Sequence, residues 1–454
     1  MLDFLIELIT TPAIMLGLVA LVGLLVQRKS FSDVVKGTLK TTIGLLILTG
    51  GAGLIVTYLT PFSDMFTQGF GLTGVVPFDE AVVGALSESV PEIARNTSLI
   101  LAIGFGINII LARVTTFKYI FLTGHMMWIL AGGLAWGFYD LGVSTFQAVL
   151  WGSIIQGASL VLLPALAQST IKKLTGKDEF AYGHLTTVGV ITSAWIGKLV
   201  GNPKKKAEDV KMPKSLEFFK DTAISVSVVM LVIYLVTAIF AGPEFVSTLS
   251  GEQNWLVFSI IQALGFAAGV LVLLQGVRMF LGEIIPAFRG VAVKLVPGAR
   301  PALDVPVVFP FGPMALMIGF LTSVVGMIIG LFVAGAVGSV VPLPSIIGGF
   351  FGGGVAGIFG NITGGRRGAA VAGAIYGLFL TIPVALFYPL FGLETYGVTG
   401  VAYLVPDGIL ILTLMSLFVK AGILPIAVVA LIAGMLIYTF FRRKNTPVDV
   451  EQSA

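Results

Sequence analysis

The sequence contains no cysteine and only two histidines, and just 11% of its 454 residues are charged. Without cysteine there are no disulfides, no thiolate metal ligands, no cysteine nucleophile and no cysteine to carry a phosphoryl group. Two histidines with no H-x-x-x-H or H-E-x-x-H spacing leave no zinc signature, and no nucleophile–base pair marks a catalytic centre. We therefore expect no metal, no cofactor and no catalytic residue in this chain. The formal charge of +4 does not point to a nucleic-acid partner, because the basic residues cluster at the ends of apolar runs and in loops.

What the chain has in abundance is hydrophobic length. It is 56% hydrophobic with a mean hydropathy of +1.01, far beyond what a water-soluble core requires, and is read as an all-α polytopic membrane protein. Crossing a hydrocarbon layer of ~30 Å takes roughly 20 helical residues. Apolar runs predict about eleven spans, at 11–27, 41–59, 97–114, 119–138, 143–168, 222–241, 255–275, 314–338, 369–391, 407–418 and 423–441. The first stretch has no basic n-region and runs straight into a span, which reads as a helix rather than a cleavable signal.

Between the spans lie 60–96, 181–200, 277–306 and 340–368, which are too short, too glycine-rich or too polar to cross alone. Such broken pieces survive at membrane depth only where protein or a wet cavity satisfies their backbone, so they predict re-entrant hairpins and a transport site. Basic residues follow the first span (Arg28, Lys29, Lys36, Lys40), the fifth (Lys172, Lys173, Lys177) and the last (Arg442, Arg443, Lys444). By the positive-inside rule the N-terminus is outside and the C-terminus cytoplasmic, which an odd number of crossings satisfies. One unit thus covers 1–454, with a basic cytoplasmic loop at 202–221, an amphipathic interfacial helix at 277–299 and a cytoplasmic tail at 442–454. The basic loop suits either anionic lipid or a docking partner.

An ionisable group at membrane depth costs ~2.5–3.5 kcal/mol to insert, so each one is a functional candidate. His125 lies in "LTGHMMW", His184 in "EFAYGHLTT" and Asp304 in "RPALDVPVVFPFGP". Each ring is either a neutral imidazole satisfied by a carbonyl or a partner for a hydroxylated substrate, since one nitrogen donates and the other accepts. Asp304 is either a helix-start carboxylate or a substrate contact. Glu80 precedes the apolar "AVVGAL" and either caps or lines a hairpin. Glu88, Glu92 and Arg95 are spaced by four and three, predicting one helix face that is either a solvated outer face or holds an ion pair to Arg95. The glycines of "GGFFGGGVAGIFGNITGGRRG" lack the phosphate-loop pattern and predict close helix packing, with Asn361, Arg366 and Arg367 marking a cytoplasmic mouth.

Four stretches carry a resemblance: "QRKSFSDVVKGTLKTTIGLLILTGGAGLI", "FKYIFLTGHMMW", "QGVRMFLGEIIPAFRGVAVKLVPGARPALD" and "FGNITGGRRGA". In order and spacing they resemble the membrane subunit IIC of the ascorbate-type (SgaT/UlaA) branch of the bacterial phosphotransferase system. The resemblance implies a homodimer in the bacterial inner membrane, with a scaffold domain that dimerises and a core domain that moves its cargo elevator-fashion. It also implies a sugar-acid or polyol substrate that is phosphorylated by a separate cytoplasmic IIB subunit bearing phosphocysteine, itself served by IIA. On that reading the chain is the transport component of a phosphotransferase complex and carries no phosphoryl group itself. The implied substrate-binding residues are His125, His184 and Asp304, with Glu80, Ala81, Gly51 and Ala52. Ile129 and Leu185 stand where the ascorbate handlers place glutamines, which leaves open another sugar acid or a polyol. The alternative from the residues alone is an ion-coupled secondary transporter with Glu80 or Asp304 as coupling site.

If His125 lies on the substrate site, His125→Ala removes a hydrogen bond worth about tenfold in affinity. Calorimetric titration with sugar acids and alditols checks this, and unchanged affinity would remove His125 from the site.

Overall fold

The computed structural model describes residues 12–209, 222–337 and 340–445. The N-terminal part holds helices α1 (Pro12–Val26) and α2 (Phe31–Phe70), strand β1 (Gly74–Pro77), α3 (Asp79–Ser89) and α4 (Pro91–Val114). It continues with β2 (Tyr119–Phe121), α5 (Gly124–Asp140), α6 (Thr145–Thr175), β3 (Ala181–Tyr182) and α7 (Thr187–Val200). Next come α8 (Thr222–Ala241), α9 (Pro243–Ser250), α10 (Trp255–Leu295), β4 (Arg300–Leu303), a 3₁₀ stretch Val305–Phe311 and α11 (Pro313–Val337). The last part has β5 (Val341–Pro342), α12 (Gly354–Phe379), α13 (Ile382–Phe387), β6 (Val401–Ala402), α14 (Pro406–Lys420) and α15 (Leu424–Asn445).

A helix lies at every one of the span positions read from the sequence. Among the described residues seven are long and apolar enough to cross a membrane, and the pair α8–α9, bent by 112°, makes an eighth. Three fall short: α1, with 15 described residues, and α5 and α14, with 17 and 15, each of which begins only after a strand has used the preceding apolar residues. Local chemistry sets several ends. Ser30 caps α2 by accepting from the Asp33 N–H, and Gly71 closes it at φ +67°, a left-handed turn that costs glycine little. Pro91 opens α4, because proline lacks the N–H that a first helical position leaves unpaired anyway.

That proline also corrects a reading. Glu88 sits on α3 and faces Gly53 of α2, whereas Glu92 and Arg95 sit on α4, so the three do not share one helix face. The Glu92–Arg95 pair does form, at 3.8 Å, and Glu92 also accepts from the Thr145 hydroxyl. Residues 277–295 continue α10 as one 41-residue helix rather than forming a separate one. The side chains of 284–294, residues 210–221 of the basic loop and 446–454 of the tail lie outside the described residues.

Two small parallel sheets were not foreseen by an all-helical reading. In one, β1 is central between β5 and β6, with Gly74 opposite Val341 and Pro77 opposite Ala402. In the other, β4 is central between β2 and β3, with Tyr119 opposite Arg300 and Tyr182 opposite Leu303. Each strand is two to four residues long, and all but β4, which is half-buried, are fully buried, as parallel pairing favours. Around them, α2 lies along α10 with α1 and α8 alongside, while α11 and α7 pack on α12.

The glycine-rich segment does serve close packing. A Cβ on Gly319 of α11 would stand 2.5 Å from the Gly353 carbonyl oxygen, and one on Gly357 would stand 2.3 Å from that of Ala315. At Gly365, φ is +61°, and the break there lets the Arg366 N–H donate to the Lys205 carbonyl at 2.7 Å. Asn361 ties the same turn to the loop, accepting from the Ala207 N–H at 2.9 Å and donating to Glu208 at 2.8 Å.

Gly319→Ala is expected to force α11 away from the backbone it abuts, at a cost of ~1–3 kcal/mol. Thermal unfolding in detergent reads this as a lowered midpoint. Gly50→Ala, whose new methyl meets nothing within 4 Å, is the control and leaves the midpoint unchanged or raised.

Candidate functional site

All six strands run towards one cavity of about 460 Å³, and the residues just past their carboxyl ends form its wall. After β1 come Phe78, Asp79 and Glu80; after β2, Thr123 and His125; after β3, His184 and Thr186. Asp304 follows β4, Ser345 follows β5, and Leu404 with Val405 follows β6. Leu274, Arg278 and Gly282 of α10 close the opposite side. Ligand sites form where the carboxyl ends of parallel strands converge, because the chain there turns into helix starts whose side chains and amides face a common space.

The buried backbone around this space is held by side chains. Asp79 opens α3, and its Oδ1 accepts from the N–H groups of Leu404 and Val405 at 2.7 and 3.0 Å. Asp407 opens α14 and accepts from Thr187 N–H at 2.6 Å and Val188 N–H at 3.0 Å, thereby capping α7. Its own N–H donates to the Leu185 carbonyl at 3.2 Å, so Asp407 holds the chain just after His184. Asn108 of α4 donates to the Tyr119 carbonyl at 3.1 Å and accepts from the Phe121 N–H at 3.2 Å, satisfying the edge of β2.

Four of the residues singled out from sequence meet on the cavity wall: Glu80, His125, His184 and Asp304. The imidazole centroids are 5.9 Å apart, and His125 Nδ1 stands 3.9 Å from Asp304 Oδ2. Asp304 Oδ1 accepts from the Val305 N–H at 2.7 Å, so the helix-start role also holds. His184 Nδ1 lies 2.9 Å from Thr186 Oγ1, which is 2.7 Å from the Tyr182 hydroxyl. That chain fixes the ring and leaves its Nε2 for the cavity. Two imidazoles and a carboxylate are also metal ligands, with one donor atom of each within 4.8 Å of the others. The 3.9 Å between His125 and Asp304 exceeds the roughly 3.4 Å that ~2.1 Å bonds to a tetrahedral zinc impose. It is a separation that one inserted hydroxyl bridges with two hydrogen bonds.

The other sequence candidates are not among the described lining residues. Ala81 is buried, Gly51 abuts the Leu273 backbone where α2 crosses α10, and the side chain of Ala52 lies outside the described residues. Ile129 is buried and its carbonyl accepts from the Tyr403 hydroxyl at 3.2 Å, while Leu185 is buried beside His184. Sequence reasoning missed Asp79, Asp407, Thr123, Thr186 and Tyr376. The first two had a signal: "VVPFD" and "YLVPD" each place an aspartate after a β-prone run and a proline, a helix-start pattern.

A family model described as "PTS system sugar-specific permease component" (EIIC-GAT) matches residues 7–407. The chain belongs to this family. The permease is also 30% identical over 437 residues to a protein of Mycoplasma pneumoniae (strain ATCC 29342 / M129 / Subtype 1) named "Ascorbate-specific PTS system EIIC component". That alignment covers 83% of the permease and 64% of the relative, so the chain spans less than two thirds of the relative's length.

Asp407→Ala leaves the buried Thr187 N–H and the half-buried Val188 N–H without an acceptor, at a cost of about 1–3 kcal/mol. The expected result is a lowered unfolding midpoint together with weaker cargo binding, because the His184 loop loses its anchor. Asp407→Asn, which keeps one acceptor oxygen, restores part of both.

Proposed function

We propose that the permease carries L-ascorbate, or a related sugar acid or polyol, across the bacterial inner membrane, with its N-terminus outside and its C-terminus cytoplasmic. The observation that carries this reading is the cavity itself, which places His125, His184, Glu80 and Asp304 against α10. The strand-bearing hairpins and α4 to α7 with α11 to α15 form the core that holds the cargo, and α1, α2 and α8 to α10 form the scaffold. The scaffold pairs with that of a second copy, and the core slides against it to expose the cavity to each side in turn. A cytoplasmic IIB subunit bearing phosphocysteine, recharged by IIA, then phosphorylates the cargo.

Within the site His125 and His184 exchange hydrogen bonds with hydroxyls, and Asp304 orients the accepting hydroxyl or takes its proton. Binding alone forms no phosphoester, so the chain by itself transfers nothing. The carboxylates of Glu80 and Asp304 on one wall support a second reading, an ion-coupled transporter. Proteoliposomes holding the permease, with IIB and the energy-coupling proteins inside, decide between the two. We expect phosphorylated cargo to accumulate only when phosphoenolpyruvate is enclosed. Accumulation of free cargo that an uncoupler abolishes would overturn the group-translocation reading in favour of ion coupling.

A further inference from the structure

Six exposed cations gather beyond the end of α7 that is away from the cavity, and they come from three separate stretches of chain. Lys198 lies in the last turn of α7, Lys204, Lys205 and Lys206 follow that helix, and Arg366 and Arg367 follow the break in α12. None of the six lines the cavity. Backbone contacts hold the stretches together. The Asn202 N–H donates to the Gly364 carbonyl at 2.9 Å and the Arg366 N–H to that of Lys205 at 2.7 Å, while Gly197 and Gly201 abut Gly364 too closely to admit a side chain.

The cluster is of one sign. Among the described residues none of the six has an ion-pair partner. The neighbouring Glu208 is already engaged, one oxygen accepting from Asn361 and the other from the Ala315 N–H, which leaves Asp209 as the other acid of the described loop. Arg366 and Arg367 also open the second segment of α12, and the start of a helix is its positive end, where cations are ordinarily not placed. A backbone-fixed cluster that repels itself and opposes a helix dipole is stabilised by an anion from outside.

The apolar surroundings decide the kind of anion. Trp195 and Leu199 are 62% and 63% exposed and lie one turn apart on the face of α7 that also carries Lys198. An indole and a leucine beside a band of cations is the composition that the boundary of an anionic bilayer selects. An acidic protein would match the charges alone. We propose that this patch binds an anionic phospholipid, with its phosphate among the lysines and arginines and its acyl chains against Trp195 and Leu199. The chain just before α7 carries His184, and the wall residues Phe351 and Gly352 lie just before α12, so the lipid steadies two elements that shape the cavity. Placing it in the cytoplasmic leaflet rests on the orientation proposed above; the binding itself does not.

The test is native mass spectrometry of the purified full-length permease in neutral detergent, titrated separately with dioleoylphosphatidylglycerol and dioleoylphosphatidylcholine. We expect the anionic lipid to bind roughly tenfold or more tightly. Combining Lys204→Gln, Lys206→Gln and Arg367→Gln is expected to abolish most of that preference, and Trp195→Ala, which keeps every charge, to weaken phosphatidylglycerol severalfold. Equal binding of the two lipids overturns the proposal, and so does a preference that the triple variant retains. Displacement of phosphatidylglycerol by inorganic phosphate at matched concentration assigns a free anion instead and also overturns it. A triple variant that binds both lipids as the wild type does, but needs more IIB for half-maximal phosphotransfer, assigns the patch to a protein partner and rejects the lipid. Should the triple variant not fold, the wild-type preference together with Trp195→Ala decides. No cargo enters the lipid titrations, so their failure leaves the cavity reading untouched.

Discussion

A backbone amide that ends a helix inside a hydrocarbon layer has no water to bond with, and the whole site depends on how those amides are satisfied. The permease solves the problem twice, with two-residue to four-residue parallel strands and with buried aspartates. The two devices are linked. Asp79 lies beyond the sheet centred on β1 and grips the chain leaving β6; Asp407, a few residues further, grips the start of α7 beyond β3 in the other sheet. A relay of two carboxylates thus joins the ends of both sheets. It explains how chain breaks that would otherwise be costly meet at one point and leave a cavity there.

The same economy shapes the helices around it. Where α11 meets α12, glycines bring the backbones to contact distance, so that boundary is held by shape over its length. Across the cavity, α10 meets the strand ends through Leu274, Arg278 and Gly282, and Lys40 pairs with Glu283 at 3.0 Å between α2 and α10. The ion pair ties two helices on the same side of the cavity and does not bridge it. The glycine contacts thus join α11 to α12 and the ion pair joins α2 to α10, while the cavity is lined by both α10 and the strand ends.

Much of this was legible in the sequence for identifiable reasons. Uninterrupted apolar runs located the helices, because hydrocarbon thickness imposes a length that few other constraints imitate. The histidines and Asp304 were visible because ionisable groups are rare in such runs. The strands were not, since two residues of Val-Pro or Ala-Tyr carry no readable periodicity and their partners lie far away in the chain. Val76, for instance, pairs with Val401. Glu88, Glu92 and Arg95 misled because helical spacing was counted through Val90 and Pro91, where the helix restarts. Ala81, Ile129 and Leu185 neighbour wall residues in sequence yet are buried and not among the lining residues, a distinction that depends on side-chain direction rather than position.

The pairing of β1 with β5 and β6 also governs when the permease becomes complete during synthesis. Gly74 waits for Val341 and Pro77 for Ala402, so hundreds of residues must emerge before the first sheet exists. Until then α3 enters the membrane with Asp79 lacking the two amides that neutralise its cost. Contacts of such long range form slowly, and chains generally order their early segments first. The last short strand is thus the piece that completes the first sheet.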